Sequence, residues 1–204
     1  MEIRGFQAKD LGACYAISLA TGLAGSDASH LYRDPRMMGH IYMAAYALLE
    51  PSRMFVVEDE AGVAGFVAGT EDTAAWEDRL ERDWWPSLRE QYADPSDVPP
   101  ASRAADQRRA FMIHHPTRTP PVVVARYPAH LHMNLLPRLQ RRGIGSKLLG
   151  TWLDIATGRG VRAFHIGVNR ENTGAIHFWR TRAFEALVLD SLPEGRTLWM
   201  GRNV

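Results

Sequence analysis

Gln140-Arg141-Arg142-Gly143-Ile144-Gly145 is the stretch whose residue types point most directly to chemistry. Glycines let a backbone approach a ligand closely and turn several N–H groups toward one point. The apolar positions that follow, Leu148, Leu149, Trp152, Leu153, Ile155 and Ala156, share one helical face, and Gly158 is placed to end that helix. The loop therefore opens a helix, whose N-terminus carries about half a positive charge. Phosphate is the natural guest, and Arg141 and Arg142 add charge. A dinucleotide fingerprint needs a third glycine where Leu148 stands, so it fails. A nucleotide-triphosphatase loop needs four residues between its glycines and then Lys-Ser/Thr, so Gly143-Ile144-Gly145-Ser146-Lys147 fails too.

A second group lies just upstream. His130, His132 and Asn134 alternate, which places them on one face of a strand. An imidazole takes a proton near neutral pH, so His132 is the first choice for a general base. A His-x-His pair can also ligate metal, but no third ligand is evident and no metal site is expected. Glu71 and Asp72 are alternative bases or amine anchors, and are equally placed to cap the helix that follows them.

The elements that must hold these groups are legible from periodicity. Glu2–Phe6 reads as a strand, and Asp10 opens a helix ending near Gly22. A second helix runs from Pro35 to Glu50, and Met54–Glu58 and Val63–Gly69 form a hairpin. Trp76, Leu80, Trp84 and Leu88 fall every four residues and predict one amphipathic helix over 73–92, interrupted at Pro86. A proline- and arginine-rich excursion, 94–121, holds one short helix around Ala104–Ile113. Then come a strand Ala129–Leu136, a helix Gly145–Thr157, a strand Val161–Val168 and a helix Thr173–Arg182. Strands Ala186–Asp190 and Thr197–Gly201 flank a turn at Pro193–Glu194–Gly195. This is a mixed α/β order.

The 204 residues are 46% hydrophobic and carry a net charge of +1, which fits one domain over 1–204 and excludes a dedicated nucleic-acid binder. Lone Cys14 excludes a disulfide framework. No apolar run is long enough to span a bilayer and the start has no signal-peptide core, so a soluble cytoplasmic protein is expected.

A third kind of phosphate loop remains, one for acyl-CoA pyrophosphate. Gln140-x-x-Gly143-x-Gly145, with Gly143 six residues after Pro137 of the exit segment Leu135-Leu136-Pro137, resembles the acetyl-CoA signature of the GNAT N-acetyltransferase superfamily. Val168-Asn169-x-x-Asn172-x-x-Ala175-x-x-Phe178-Trp179-x-x-x-Ala183-Phe184 is similar to that superfamily's second cofactor helix. Phe55–Phe66, Trp84-Trp85-Pro86 and Tyr127–His132 further resemble bacterial GNAT proteins similar to the C-terminal acetyltransferase-like domain of O-GlcNAcase.

The resemblance implies a central mixed sheet of about seven strands, split between two splayed strands, with 71–127 inserted after the third. It implies acetyl-CoA as cofactor, held by Leu135, Leu136, Gln140, Arg141, Arg142, Gly143, Ile144, Gly145 and Ser146, with Asn172, Ala175 and Trp179 from the second helix. His132, Asn134 and Asp72 become the candidate catalytic residues. The acceptor would be a small amine or an exposed lysine, and a homodimer is compatible. The superfamily's usual acid is a tyrosine where this chain has Trp179, so a non-catalytic acyl-CoA-binding or protein-interaction module with a GNAT fold stands as the alternative.

Overall fold

The computed structural model describes residues 1–192 and 194–204. The expected turn at Pro193 therefore lies partly outside the described residues. Seven strands form one sheet in the order β1-β2-β3-β4-β5-β7-β6. In chain order the first half runs β1 (Glu2–Gly5), α1 (Leu11–Ala20), α2 (Met37–Tyr42), α3 (Ala44–Leu49), β2 (Met54–Asp59) and β3 (Gly62–Thr70). The inserted stretch supplies α4 (Thr73–Asp83), α5 (Trp85–Gln91), α6 (Ala105–His114) and the short α7 (Pro121–Val124). The second half is β4 (Ala129–Leu135), α8 (Ile144–Gly158), β5 (Ala163–Asn169), α9 (Thr173–Arg180), β6 (Glu185–Ala186) and β7 (Thr197–Asn203). All pairings are antiparallel except β4 with β5.

Each sheet face buries its own core, because alternate side chains leave a strand on opposite sides. On one face Val67, Leu131, Phe164 and Ile166 meet Leu148, Leu149, Trp152 and Leu153 of α8. On the other, Val56, Phe66 and Ala68 meet Ile17, Met37, Tyr46, Trp76, Trp84 and Trp85. The aromatic stripe of the insertion is therefore core. Two of its indoles, with Trp152 on the opposite face, account for their polar atoms differently. Trp84 Nε1 donates to the His40 carbonyl (2.9 Å) and Trp152 Nε1 to that of Arg53 (3.0 Å), whereas Trp76 Nε1 has no partner among the described residues.

Three expected elements differ. The 73–92 helix is two helices broken at Trp84 (φ −120°, ψ −57°), and Pro86 sits in the first turn of α5, where its missing N–H costs nothing. The helix over Pro35–Glu50 breaks at Met43 (φ −141°, ψ −47°), whose side chain is fully buried by the turn this makes. The strand expected over Ala186–Asp190 shrinks to Glu185–Ala186, leaving Val188 at 95% exposure. The insertion leaves and re-enters the sheet at one point, since the Thr73 amide and hydroxyl both donate to the Pro128 carbonyl (2.8 and 2.6 Å).

Candidate active site

The site begins as a gap in the sheet. β4 and β5 pair only at Ala129↔Phe164 and His130↔His165, and then diverge. Which backbone groups face the gap follows from ladder parity. Leu136 N–H donates to the Ala64 carbonyl (2.8 Å), so alternate residues back along β4, Asn134 and His132, also aim their amides at β3. Met133 and Leu135 then aim theirs into the gap. On β5, Arg170 N–H donates to Arg196 and Val204 N–H to Arg162. The same parity turns the backbone of Gly167 and Asn169 toward β4.

The gap widens into a cleft of about 690 Å³. Met133, Asn134 and Leu135 form one wall, with Gln140, Arg141, Gly143, Gly145 and Ser146 at its end. Asn172, Ala175, Phe178, Trp179 and Arg182 form the other wall, and the segment Thr21–Ser26 closes over both. Gln140 Nε2 donates to the Leu135 carbonyl (2.8 Å), fixing the strand exit against the loop. Asn134 Nδ2 donates to Thr21 Oγ1 (2.6 Å), which fixes the end of α1 on β4.

The glycine loop has the conformation that its composition requires. Arg141 and Gly143 take positive φ (58° and 74°), and Gly143 is the N-cap of α8. The first rung of that helix is Lys147 N–H to the Gly143 carbonyl, so the amides of Ile144, Gly145 and Ser146 lie outside the ladder and point along the axis into the cleft end. A side chain at Gly145 would meet the Phe178 ring at 3.0 Å, which is how closely α8 and α9 approach. These amides and the helix dipole suit a pyrophosphate.

Not every expected cofactor residue lines the cleft. Leu136 spends its amide on Ala64, and its side chain packs into the apolar cores. The Ile144 side chain is buried under α8, leaving only its backbone to the site. Arg142 is exposed on the outer side of the turn, reaching back toward the Arg138 carbonyl (3.4 Å). Asn172 lines the cleft while its carboxamide caps α9 by accepting from Ala175 N–H (3.0 Å). Trp179 is both wall and core, 7% exposed with its ring edge-on to Phe178 and Phe184. Asp72 is committed elsewhere: it caps α4 through Ala75 N–H (3.0 Å). Glu71 bridges Arg53 and Arg159 (3.0 Å each).

Three imidazoles meet near the apex of the gap, His130 5.6 Å from His132 and 5.5 Å from His165 between ring centroids. Their hydrogen bonds separate their roles. Thr73 gives its hydroxyl proton to Pro128, so it accepts from His130 Nδ1 (2.7 Å), and Tyr46 O–H then donates to Nε2 (2.5 Å). Both nitrogens of His130 are thereby used. His165 Nδ1 donates to the Tyr127 carbonyl (2.6 Å). His132 makes no hydrogen bond among the described residues. It is half-buried between Tyr42 and Tyr46, one step along the strand face from Asn134. Burial pushes the pKa of His132 and of His165 down to about 4, and that of His130 well below the usual histidine range. All three are neutral at pH 7. Close as these rings are, among the described residues no group of three or more His, Cys, Asp or Glu side chains has an arrangement that could hold a metal ion.

Sequence reasoning missed Arg182, whose guanidinium stacks over Phe178 at 4.1 Å and donates to Ser146 Oγ (2.5 Å) across the cleft mouth. It also missed the Thr21–Ser26 cover and Tyr42. Arg182 stands at an unassigned position of the second-helix motif, whereas the cover and Tyr42 reach the site from a distant part of the chain.

A family model described as "Acetyltransferase (GNAT) family" matches residues 27–184. The chain belongs to the GNAT acetyltransferase family. Among solved structures, the GNAT-fold chain is similar to SsHAT, 34% identical, with a TM-score of 0.89 over 99% of this chain and 97% of that one. It shares its fold with the PaiA N-acetyltransferase from Thermoplasma acidophilum in complex with coenzyme A (14% identical, TM-score 0.58, 100% and 98% covered). Protein O-GlcNAcase of Rattus norvegicus is 21% identical over 173 residues, 84% of this chain and 19% of that protein. The chain thus spans about a fifth of the length of the curated relatives it matches. Among the described residues no helix is long and apolar enough to cross a membrane.

Proposed function

We propose that this GNAT protein is an acetyl-CoA-dependent N-acetyltransferase that acylates a primary amine by direct attack. The observation that carries this reading is the free imidazole of His132 beside a strand gap that ends at the open amides of α8. The loop fits the cofactor: a Cβ at Gly143 would meet nothing within 4 Å, so the backbone there is open to a close ligand. Gly145 and Ser146 amides, with Gln140, Arg141 and Arg182 around them, would hold the pyrophosphate end.

When bound, acetyl-CoA supplies an acyl group activated as a thioester. The Leu135 N–H, aimed into the gap, would be the donor for an acyl oxygen there, where preorganised backbone donors act most strongly. His132, neutral above about pH 4, accepts the proton that the amine loses. Asn134 positions the amine from the same strand face. His132 or water would supply the proton that a leaving thiolate needs, since the Trp179 indole is a donor too weak to give one up.

Calorimetric titration with acetyl-CoA and CoA tests the cofactor half. Micromolar affinity is the expected result, and no binding at millimolar cofactor moves the chain to the alternative of a non-catalytic module, which the tryptophan at position 179 favours. The base is tested by His132→Ala. Turnover should fall by about 10²-fold with cofactor affinity retained. The parent's acid limb should lie below pH 5 rather than near 6.5, because burial has already neutralised the ring.

A further inference from the structure

Arg109 is a cation with no carboxylate partner among the described residues. It rises from α6 of the insertion and reaches two phenols, Nε donating to Tyr32 (3.1 Å) and Nη1 to Tyr42 (2.8 Å). Nη1 also lies 3.1 Å from Met112 Sδ, and the guanidinium carbon stands 5.5 Å from the Tyr42 ring centre. Nη2 makes no hydrogen bond among the described residues. The two nearby acids are engaged elsewhere. Asp106, one turn back on α6, accepts from the Arg33 amide (3.2 Å), and Asp34 accepts from the Tyr92 hydroxyl (2.6 Å). Tyr42 is no hidden counter-ion, since burial raises its hydroxyl above the ordinary phenol range.

Arginine cannot shed its charge, and withdrawing it from water without an anion is costly. Arg4 holds Asp10 and Glu58 and Arg79 holds Glu50, while the buried Arg103 lies over the Phe111 ring and donates to the Val98 carbonyl. Tyr42 connects Arg109 to the proposed base, its ring 6.0 Å from that of His132. Tyr42 is thus in contact with both His132 and Arg109, whose Nη2 edge makes no hydrogen bond among the described residues.

We infer that Arg109, braced by Tyr32 and Tyr42, binds a carboxylate on the acceptor, so that the substrate is a carboxylate-bearing primary amine. A single guanidinium with one free edge matches a monoanion, and the planar carboxylate suits it. The inference rests on the acetyltransferase reading for the role of the amine, but the anion site stands or falls separately.

The test compares ω-amino acids of two to five carbons with their primary amides, as ligands of the CoA-saturated protein and as acceptors of acetyl-CoA. Affinity for at least one acid should exceed that for its amide by tenfold or more. Arg109→Gln should abolish the difference while Arg109→Lys keeps part of it, and acetyl-CoA affinity reports that the cleft is intact in each. A purely structural Arg109, stapling α6 to α2, would lower the melting temperature and leave the acid-to-amide ratio unmoved. No acid preference across the series in the unmutated protein overturns the inference without any variant, as does a preference that survives Arg109→Gln. Acid preference without acetyl transfer would instead sink the acetyltransferase reading and leave the anion site standing.

Discussion

At the scale of single residues, the site depends on positions where a small chemical change has a defined reach. Gly143 holds φ +74° with open space where a side chain would go. Aspartate tolerates that conformation better than most residues, at about 1 kcal/mol of strain, so Gly143→Asp should fold. Its carboxylate would oppose a pyrophosphate, and CoA affinity should drop by at least about tenfold in calorimetry. Unchanged affinity would remove the phosphate assignment of the loop. Trp179 offers the converse experiment. Trp179→Tyr keeps an aromatic ring against Phe178 and Phe184 and adds a hydroxyl able to protonate a thiolate. Turnover should rise by about tenfold with cofactor affinity unchanged. A drop in both would mean that the indole serves the cleft by packing alone.

At the scale of elements, two close approaches set the geometry. β3 lies tight against β4 and α8 at Gly69, where an added Cβ would sit 2.3 Å from the His130 carbonyl and 2.5 Å from the Trp152 ring. Neither neighbour can yield, one being backbone and the other an indole tied to Arg53. Gly69→Ala should therefore cost about 2–3 kcal/mol in urea unfolding and disturb the strand that carries His132. A wild-type midpoint would show that these elements can part at little cost. The second approach is the base of the insertion. Thr73 ties α4 to Pro128 and accepts from His130, so one hydroxyl joins the helical excursion to the apex of the gap. α6 is placed separately, by packing against α2 and α5, and this sets Arg109 beside α2.

For the whole molecule, the buried imidazoles make stability pH-dependent in a predictable direction. His132 and His165 titrate near 4 when folded and near 6.5 when unfolded. Between those values the unfolded chain binds more protons, so stability is fully present above about pH 6.5 and is lost as pH falls toward 4. The melting temperature should drop by roughly 5 °C or more from pH 7 to pH 5. His165→Gln should flatten that slope even if it lowers stability at pH 7. The carboxylates held low by arginines, such as Asp10 and Asp59, give way only at lower pH and do not obscure this window. A flat profile from pH 7 to pH 5 would contradict the burial of His130 and His165.

The order of strands and helices, the glycine loop and the family were legible in the chain because each rests on short-range pattern. Helical spacing placed α8 and α9, and alternation placed His130, His132 and Asn134 on one face. The six-residue loop carried its own signal, since positive φ and open amides are local properties of glycine at a helix start. What the sequence left open was decided by contacts between distant segments. Which histidine is free depends on Tyr46 and Thr73, 84 and 57 residues from His130. That Asp72 is a helix cap and Leu136 a strand partner follows from hydrogen bonds formed only on folding. The breaks at Met43 and Trp84 are tertiary as well, for both turns bury large side chains that a continuous helix would aim differently. Arg109 has no sequence signal at all. Its unpaired charge beside Tyr42 exists because α6 packs across α2, 67 residues away, and a cation's partners are set by the space around it rather than by its neighbours in the chain.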